Sequence, residues 1–321
     1  MKHLEKDAAI LATQVIDLCL AGKTDDARAL CDEKILALLT RYAPSTVAKD
    51  CSRIYRKAIA IEAGIDPKTY RFTDEPMCLF QVPITLTTAV NDTSRDAVET
   101  QRKERCPMTK GVMNELLEVG KQLVTIEPKK GQDFYNIAMG LVLLTGRRPY
   151  AETLHYARFE TINNYSVAFT GQAKGGSEKR ETAFTIPVLG CDASVIVNAQ
   201  NLVTNYIQSR HWYTSEITEK EISGNCKKQA QQCIDTYIDP IFNPVRNSGL
   251  EGCNVGLINP HDLRKAYAFI VWVNQNKTVS AFTQFAPEIL GHSYTVKHSG
   301  KVRANTRSSE SYEKFRLVES L

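Results

Sequence analysis

Apolar residues recur every three to four positions along much of the chain, which is the spacing of one helix face. Together with capping residues and glycine or proline stops, this pattern predicts helices at Leu4–Leu20, Thr24 to about Tyr42, Ser45–Ala63, Pro83–Arg105, Thr109–Val124 and Gly131–Leu144. Helical periodicity returns at Cys191 and predicts helices from there to the end of the chain.

Between these helical regions the pattern is that of strands. Residues 161–169 predict a hairpin with its turn at Asn163-Asn164, because asparagine tolerates the positive φ of such turns. The glycine-rich stretch 171–176 predicts the next turn, and Glu181–Leu189 the third strand. The expected fold class is mainly α with a small antiparallel β-sheet (α+β). Pro107 marks the predicted boundary between a helical domain, 1–106, and a mostly helical domain that holds the sheet, 107–321.

Composition argues against several classes of protein. The apolar fraction of 43% and the charged fraction of 24% are those of a soluble globular protein. No uncharged apolar stretch approaches the roughly 18 residues of a membrane-spanning helix, and the N-terminus lacks a signal-peptide pattern. The nine cysteines are scattered without a C-x-x-C pair. These observations predict a cytoplasmic protein with reduced thiols and no zinc site.

Positive charge is concentrated in two regions, although the net charge is only +4. One is the helix predicted at Ser45–Ala63, whose basic residues indicate either a solvated face or a face that contacts DNA phosphates. The other is the segment 297–307, which has no acidic residue. The candidate DNA contacts in the two regions are Arg53, Arg56, Lys57, Lys297, Lys301, Arg303 and Arg307.

Five motifs follow one another in an order that suits phosphoryl transfer, with Tyr312 as the nucleophile. They are Thr145-Gly146-Arg147-Arg148 after an apolar helix, Lys174 in a glycine-rich turn, His261-Asp262-Leu263-Arg264 after Pro260, Ile289-Leu290-Gly291-His292, and Tyr312 near the C-terminus. Each motif alone is more often structural than functional, since helix-end arginines, exposed turn lysines and packed tyrosines are common. All five in one order favour the functional interpretation.

The residue types fit cleavage of a phosphodiester without a metal ion. Guanidinium groups stay charged and fork onto phosphate oxygens, so Arg148 and Arg264 are expected to stabilise the charge that develops in the transition state. Lys174 is the candidate general acid for the leaving oxygen. His261 and His292 are candidates for binding the phosphate, and either could accept the tyrosine proton.

The order R, K, H-x-x-R, H, Y resembles that of the tyrosine recombinases and integrases. Within that superfamily the chain is similar to the protelomerases, or telomere resolvases. Their S-G-R-R, F-S-G-Q-A-K, I-L-G-H and Y-K-x-F segments resemble Thr145–Arg148, Phe169–Lys174, Ile289–His292 and Tyr312–Phe315. A weaker likeness links Thr46–Lys57 to a helix in their N-terminal DNA-binding part. The likeness covers mainly residues 107–321, and the hairpin motif is its most specific element.

This resemblance implies a tyrosine-recombinase catalytic fold preceded by a helical DNA-binding domain. It also implies a homodimer that acts on inverted-repeat, double-stranded DNA without a metal ion, ATP or another cofactor. Such a protein would belong to a bacterial cell or be encoded by a phage or plasmid. A 3′-phosphotyrosyl bond would form, and the released 5′-hydroxyl would then attack to give covalently closed hairpin ends. By the same resemblance the family's active-site positions are Arg148, Lys174, Arg264, His292 and Tyr312.

The sequence departs from the family pattern near two of these positions. The superfamily's acidic residue usually comes three residues after the first arginine, whereas Glu152 comes four after Arg148. His292 precedes Tyr312 by 20 residues, about twice the spacing that is usual in the superfamily. The basic segment 297–307 accounts for the additional residues. Tyr294 is a rival nucleophile within this stretch.

Four functions remain open on the sequence. They are hairpin telomere resolution, strand exchange by a phage integrase or plasmid recombinase, DNA binding by an inactive module, and a helical adaptor without a DNA role. The first two share the cleavage step and differ in whether the freed 5′-end attacks its own duplex or that of a partner.

Overall fold

A computed structural model describes residues 2–67, 69, 75–83, 85, 87–89, 92, 96, 105–173, 181–248, 256–275, 282–291, 293–295, 302–304 and 312–319. The chain separates into two compact units, Met1–Ala97 and Val98–Leu321. Each unit has a hydrophobic core of its own. Among the helices of the described part, none is long and apolar enough to cross a membrane.

The first unit is built from helices, as the periodicity predicts. Its main elements are α1 (Lys2–Leu20), α2 (Thr24–Leu39), a helical turn at Pro44–Thr46, a π-helical turn at Val47–Cys51, α3 (Ser52–Glu62) and a 3₁₀ turn at Met77–Leu79. Tyr55 and Ile59 lie one turn apart on α3 and are both fully buried in the core. The helix predicted to start at Pro83 falls largely outside the described residues.

The second unit is organised around one central helix. Its helices are α4 (Lys110–Val124), α5 (Gly131–Thr145), α6 (Ala193–Gln208), α7 (Glu219–Cys233), α8 (Asn243–Arg246), α9 (Pro260–Asn274) and α10 (Phe282–Ile289). Every residue of α5 from Tyr135 onward is buried, because α4, α6, α7 and α9 all pack against it. A helix that is apolar on all sides requires such surroundings.

The described residues of this unit also form three small sheets. The strands are β1 (Cys106–Met108), β2 (Arg158–Asn163), β3 (Ser166–Thr170), β4 (Phe184–Pro187), β5 (Ser293–Thr295), β6 (Val302–Ala304) and β7 (Phe315–Leu317). β2, β3 and β4 form the predicted antiparallel sheet, in that order. β1 and β7 pair in parallel, and β5 and β6 pair in antiparallel fashion.

The structure corrects three details of the prediction. The hairpin turns at Asn164-Tyr165, one residue later than expected, because the register shifts between Thr161 and Asn163. The third strand is only Phe184–Pro187. The expectation of helices to the end of the chain is wrong, since β5, β6 and β7 lie there. These strands are three residues long and exist through pairing with other segments, which local periodicity does not report.

Gly146 ends α5 in a conformation and a space that only glycine fits. Its φ is +67°, and a Cβ would lie 2.2 Å from Cδ1 of the buried Tyr267. We expect Gly146→Ala to lower the free energy of unfolding by more than about 1–2 kcal/mol, the cost of a left-handed residue alone. Urea denaturation followed by circular dichroism measures the change.

Gly224 provides the matched control, because it lies in α7 and a Cβ added there would meet no atom within 4 Å apart from its own stretch of helix backbone. Gly224→Ala is expected to raise the free energy of unfolding by about 0.5–1 kcal/mol. Similar effects of the two substitutions would contradict the role assigned to Gly146.

Candidate active site

The two arginines of the first motif occupy different environments. Arg147 is fully buried, and its guanidinium lies over the rings of Phe169 and Phe184, at 4.6 and 5.1 Å from their centroids. It donates hydrogen bonds to the carbonyl oxygens of Thr145 (3.1 Å) and Ile289 (3.0 Å). Arg147 therefore connects the end of α5 with the end of α10 and has a structural role.

Glu152 is the buried carboxylate at the centre of the site. It accepts hydrogen bonds from the Arg148 guanidinium and from the backbone N–H groups of Arg148 (2.8 Å) and Ala173 (3.2 Å). Oε2 of Glu152, which accepts from the Arg148 N–H, also lies 3.6 Å from Nη1 of Arg264. Burial alone would raise the pKa of Glu152, but the charges of Arg264, Arg147 and Arg148 outweigh it and lower the pKa to about 2. Glu152 is thus ionised and fixes the two candidate phosphate-binding arginines.

On the sequence alone Glu152 was not a candidate catalytic residue, because it follows Arg148 by four residues and not by the usual three. The structure explains the spacing. A π-helical turn begins at Glu152, and the N–H of Thr153 bonds the carbonyl oxygen of Arg148 at 3.0 Å. This wider turn places the Glu152 carboxylate within hydrogen-bonding distance of Arg148. The four-residue spacing could have predicted contact between the side chains of Arg148 and Glu152, since residues four apart can meet on one helical turn.

Arg264 projects from the first turns of α9. Asn259 caps this helix by accepting from the N–H of His261 at 3.0 Å. Arg264 itself is 1% exposed and donates to the carbonyl oxygens of Gly146 and Leu290, the latter at 2.9 Å. It therefore contacts backbone from two of the other motifs.

Tyr312 lies against this same arginine. Nε of Arg264 donates a hydrogen bond to the Tyr312 hydroxyl oxygen at 3.2 Å, and the guanidinium carbon lies 5.9 Å from the ring centroid. The ring packs on an apolar cluster that includes Tyr267, Val271 and Leu290. Residues more than a hundred positions apart, Arg148 and Tyr312 among them, thus meet around the Arg264–Glu152 pair within one chain.

The loop after β3 is also tied to the site. Nε2 of Gln172 donates to the carbonyl oxygen of Gly291, in a contact that the sequence analysis did not anticipate. The N–H of Ala173 bonds Glu152. Lys174 and His292 directly follow these tethered residues but lie outside the described part of the chain.

His261 is exposed and lies one helical turn before Arg264. Its ring approaches that of Tyr150 edge to face, with 6.0 Å between centroids. Although part of His261 is exposed, the surrounding protein reduces the hydration of its charged form, and this lowers the pKa of His261. The nearby Arg264 charge lowers the pKa further. The neutral imidazole, which can accept a proton, is therefore favoured at neutral pH.

Of the candidate DNA contacts, the structure describes the side chains on α3 but not those of the segment 297–307. Arg53 and Lys57 are exposed one turn apart on α3, and Arg53 lies 3.6 Å from the exposed Asp50. Arg56 is half-buried and donates through Nε to the carbonyl oxygen of Phe80 at 2.9 Å, so it contributes to the core packing of the first unit. Outside the described residues lie Lys297, Lys301 and Arg307, while the backbones of Tyr294 and Arg303 lie in β5 and β6.

Removing the charge of Glu152 should destabilise the second unit. We expect Glu152→Gln to lower the free energy of unfolding by about 3 kcal/mol at neutral pH, because buried guanidinium groups lose their counter-charge. Urea denaturation measures the difference. Glu160→Gln, at an exposed position of β2, is the control and should change stability by less than about 0.5 kcal/mol.

The same pair of proteins gives a pH dependence of known sign. The folded-state pKa of Glu152 lies below its ordinary value of 4.5, so its ionisation stabilises the folded state above that pH. This contribution is lost as pH falls from 4.5 toward about 2. The stability difference between wild type and Glu152→Gln should therefore shrink over this window. An equal difference at pH 7 and pH 3 would show that the charge is not responsible.

Comparisons with known proteins identify the family and the fold of the chain. The family model for the telomere resolvase ResT/TelK catalytic domain matches residues 111–315. A search of curated proteins gives no match. Among solved structures, the chain is similar to a selenomethionine form of protelomerase TelA covalently complexed with substrate DNA, with 20% identity, a TM-score of 0.64, and coverage of 91% of this chain and 82% of that chain.

Two further structures are similar at lower identity. A TelA mutant complexed with DNA hairpin product shares 17% identity, with a TM-score of 0.66 and coverage of 95% of this chain and 88% of that chain. Protelomerase TelK complexed with substrate DNA shares 17% identity, with a TM-score of 0.52 and coverage of 98% of this chain and 59% of that chain. These likenesses confirm the expected fold, mainly helical with small sheets. Because the family match spans well over half of the sequence, the chain belongs to the ResT/TelK telomere resolvases.

Proposed function

We propose that the chain is a telomere resolvase that cleaves double-stranded DNA through a 3′-phosphotyrosyl bond to Tyr312 and reseals each end as a covalently closed hairpin. The observation that carries the proposal is the hydrogen bond from Arg264 to the Tyr312 hydroxyl, 3.2 Å long, in a site where Glu152 also holds Arg148. Family membership supports it, as do the similar TelA structures, which are described as a covalent complex with substrate DNA and a complex with DNA hairpin product.

The chemistry follows from the side chains. The Tyr312 oxygen attacks the scissile phosphorus, the bond to the 5′-oxygen breaks, and Arg148 and Arg264 stabilise the negative charge that grows on the non-bridging oxygens. In this proposal His261 or His292 binds the phosphate or accepts the tyrosine proton, and Lys174 protonates the leaving oxygen. Attack of a 5′-hydroxyl on the phosphotyrosine then forms the new phosphodiester and returns the proton to Tyr312. The ester conserves the bond energy, so no cofactor is required.

In this proposal, two regions of the chain bind DNA. Residues 1–106 are proposed as the DNA-binding domain, with Arg53 and Lys57 on the exposed face of α3 contacting phosphates. The basic segment 297–307 of the catalytic domain, 107–321, is the second contact. Two copies would act on an inverted-repeat site in the cytoplasm of the host cell, because hairpin formation at both ends requires two cleavages.

The proposal predicts that Tyr312→Phe abolishes a covalent protein–DNA adduct while DNA binding persists, because only the attacking oxygen is removed. The substrate is a plasmid that carries the inverted repeat from the ends of the replicon encoding this protein. Adducts are detected by denaturing gel electrophoresis of samples not treated with protease, and binding by gel shift.

Tyr294→Phe is the matched control and should keep the adduct, since this residue is the rival nucleophile on sequence grounds. Products of the wild type are heated and cooled rapidly. Strands that snap back to duplex identify hairpin ends, whereas recombinant circles would identify strand exchange instead. An adduct that survives Tyr312→Phe would remove Tyr312 from the mechanism.

Because Tyr312 meets Arg264 of its own chain, cleavage should occur in cis. Tyr312→Phe and Arg148→Ala are each expected to be inactive, and a mixture of the two should form no more adduct than either alone. Mixing the purified variants on the same substrate tests this. Recovery of adduct in the mixture would mean that one protomer supplies the tyrosine to the arginines of another.

A further inference from the structure

The two residues that follow Tyr312 each form an ion pair with a different part of the catalytic unit. Glu313 is 6% exposed and pairs with Arg105. Lys314 extends its Nζ to within 2.6 Å of an Asp262 carboxylate oxygen, and the Asp262 side chain is 1% exposed. The nucleophile is therefore followed at once by two charged side chains that point to separate anchors.

The Lys314 anchor is the helical turn that carries Arg264. Asp262 lies two residues before Arg264 on α9 and completes the cap of that helix by accepting from the N–H of Asn259 at 3.1 Å. Lys265 approaches its other oxygen at 3.0 Å. An ion pair from Lys314 to this turn fixes the distance between the segment of Tyr312 and the helix of Arg264.

The partner of Glu313 is Arg105, the first described residue of this unit after the gap that follows residue 96. Arg105 directly precedes β1, which pairs in parallel with β7, and the N–H of Cys106 bonds the carbonyl oxygen of Lys314 at 2.7 Å. Phe315 of β7 is buried beside Phe242. A parallel pair of three residues per strand is a weak support, so the ion pair contributes to holding its register.

We propose that Glu313 and Lys314 are positioning residues, whose ion pairs with Arg105 and Asp262 hold the Tyr312 hydroxyl against Arg264. The inference deepens the proposed function and rests on it. Neither side chain is assigned a contact with DNA or a role in proton transfer. Their effect is on the rate of attack, because misplacement of a reacting group by about 1 Å can slow a reaction on the order of a hundredfold.

The test measures the single-turnover rate of covalent adduct formation at saturating enzyme, together with the Kd for DNA and the melting temperature of the full chain. Glu313→Gln and Lys314→Met are each expected to slow adduct formation by about tenfold to a hundredfold with an unchanged Kd. Arg246→Gln is the control, because it breaks the partly buried Arg246–Asp239 ion pair elsewhere in the unit. It should leave the rate within about twofold.

Rescue separates positioning from general stability. Lys314→Arg, which keeps the charge, and the exchange of Arg105→Glu with Glu313→Arg should restore most of the rate. If Lys314→Met fails to fold, these two rescue variants and Glu313→Gln still decide. An unchanged rate in Glu313→Gln and Lys314→Met would overturn the inference. It would also be overturned if Arg246→Gln lost as much rate as these variants for the same decrease in melting temperature. Absence of any adduct with the wild type would instead overturn the proposed function.

Discussion

The site depends on one buried carboxylate among three guanidinium groups. Arg147, Arg148 and Arg264 all lie within electrostatic reach of Glu152, which is fully buried. Without a counter-charge, three cations in a low-dielectric interior would repel one another and would favour solvent exposure. Burial and the charge of Arg264 already lower the pKa of Arg147 to about 10. Glu152 keeps the cluster together, so Arg148 and Arg264 are already fixed for the phosphate contacts of the proposed mechanism.

The same arginines also determine how the motifs meet. The carbonyl oxygens of the consecutive residues Ile289, Leu290 and Gly291 accept hydrogen bonds from Arg147, Arg264 and Gln172, respectively. Three motifs far apart in sequence thus hold successive peptide groups of a fourth. Carbonyl groups that are shielded from water need hydrogen-bond partners, and the other motifs supply them to three successive residues of the segment that leads into His292. The motifs are therefore one structural unit, which is why their order in the sequence is informative.

The sequence predicted the parts of this arrangement that depend on local pattern and residue type. The helices of both units and the β2–β4 sheet follow from periodicity, and Arg148, Arg264 and Tyr312 were selected by their chemistry and order. Glu152 was not selected, because its spacing from Arg148 is one residue longer than the usual pattern, and only the structure shows the π-helical turn that accommodates this spacing. The strand β7 was missed for a related reason. Its three residues pair with β1, about two hundred positions earlier, and only the folded chain brings the two together.

In the proposed mechanism, the charge of the cluster complements the transition state better than the ground state. Three arginines and one glutamate leave a net charge of about +2 if all are ionised, whereas a phosphodiester carries about −1 before attack and gains further negative charge as the tyrosine oxygen adds. Interactions that strengthen along the reaction lower its barrier, and those that are equally strong at the start only improve binding. The Glu152 carboxylate partly neutralises the buried guanidinium groups and fixes their geometry. In the proposed mechanism, that fixed geometry is what makes the arginines effective.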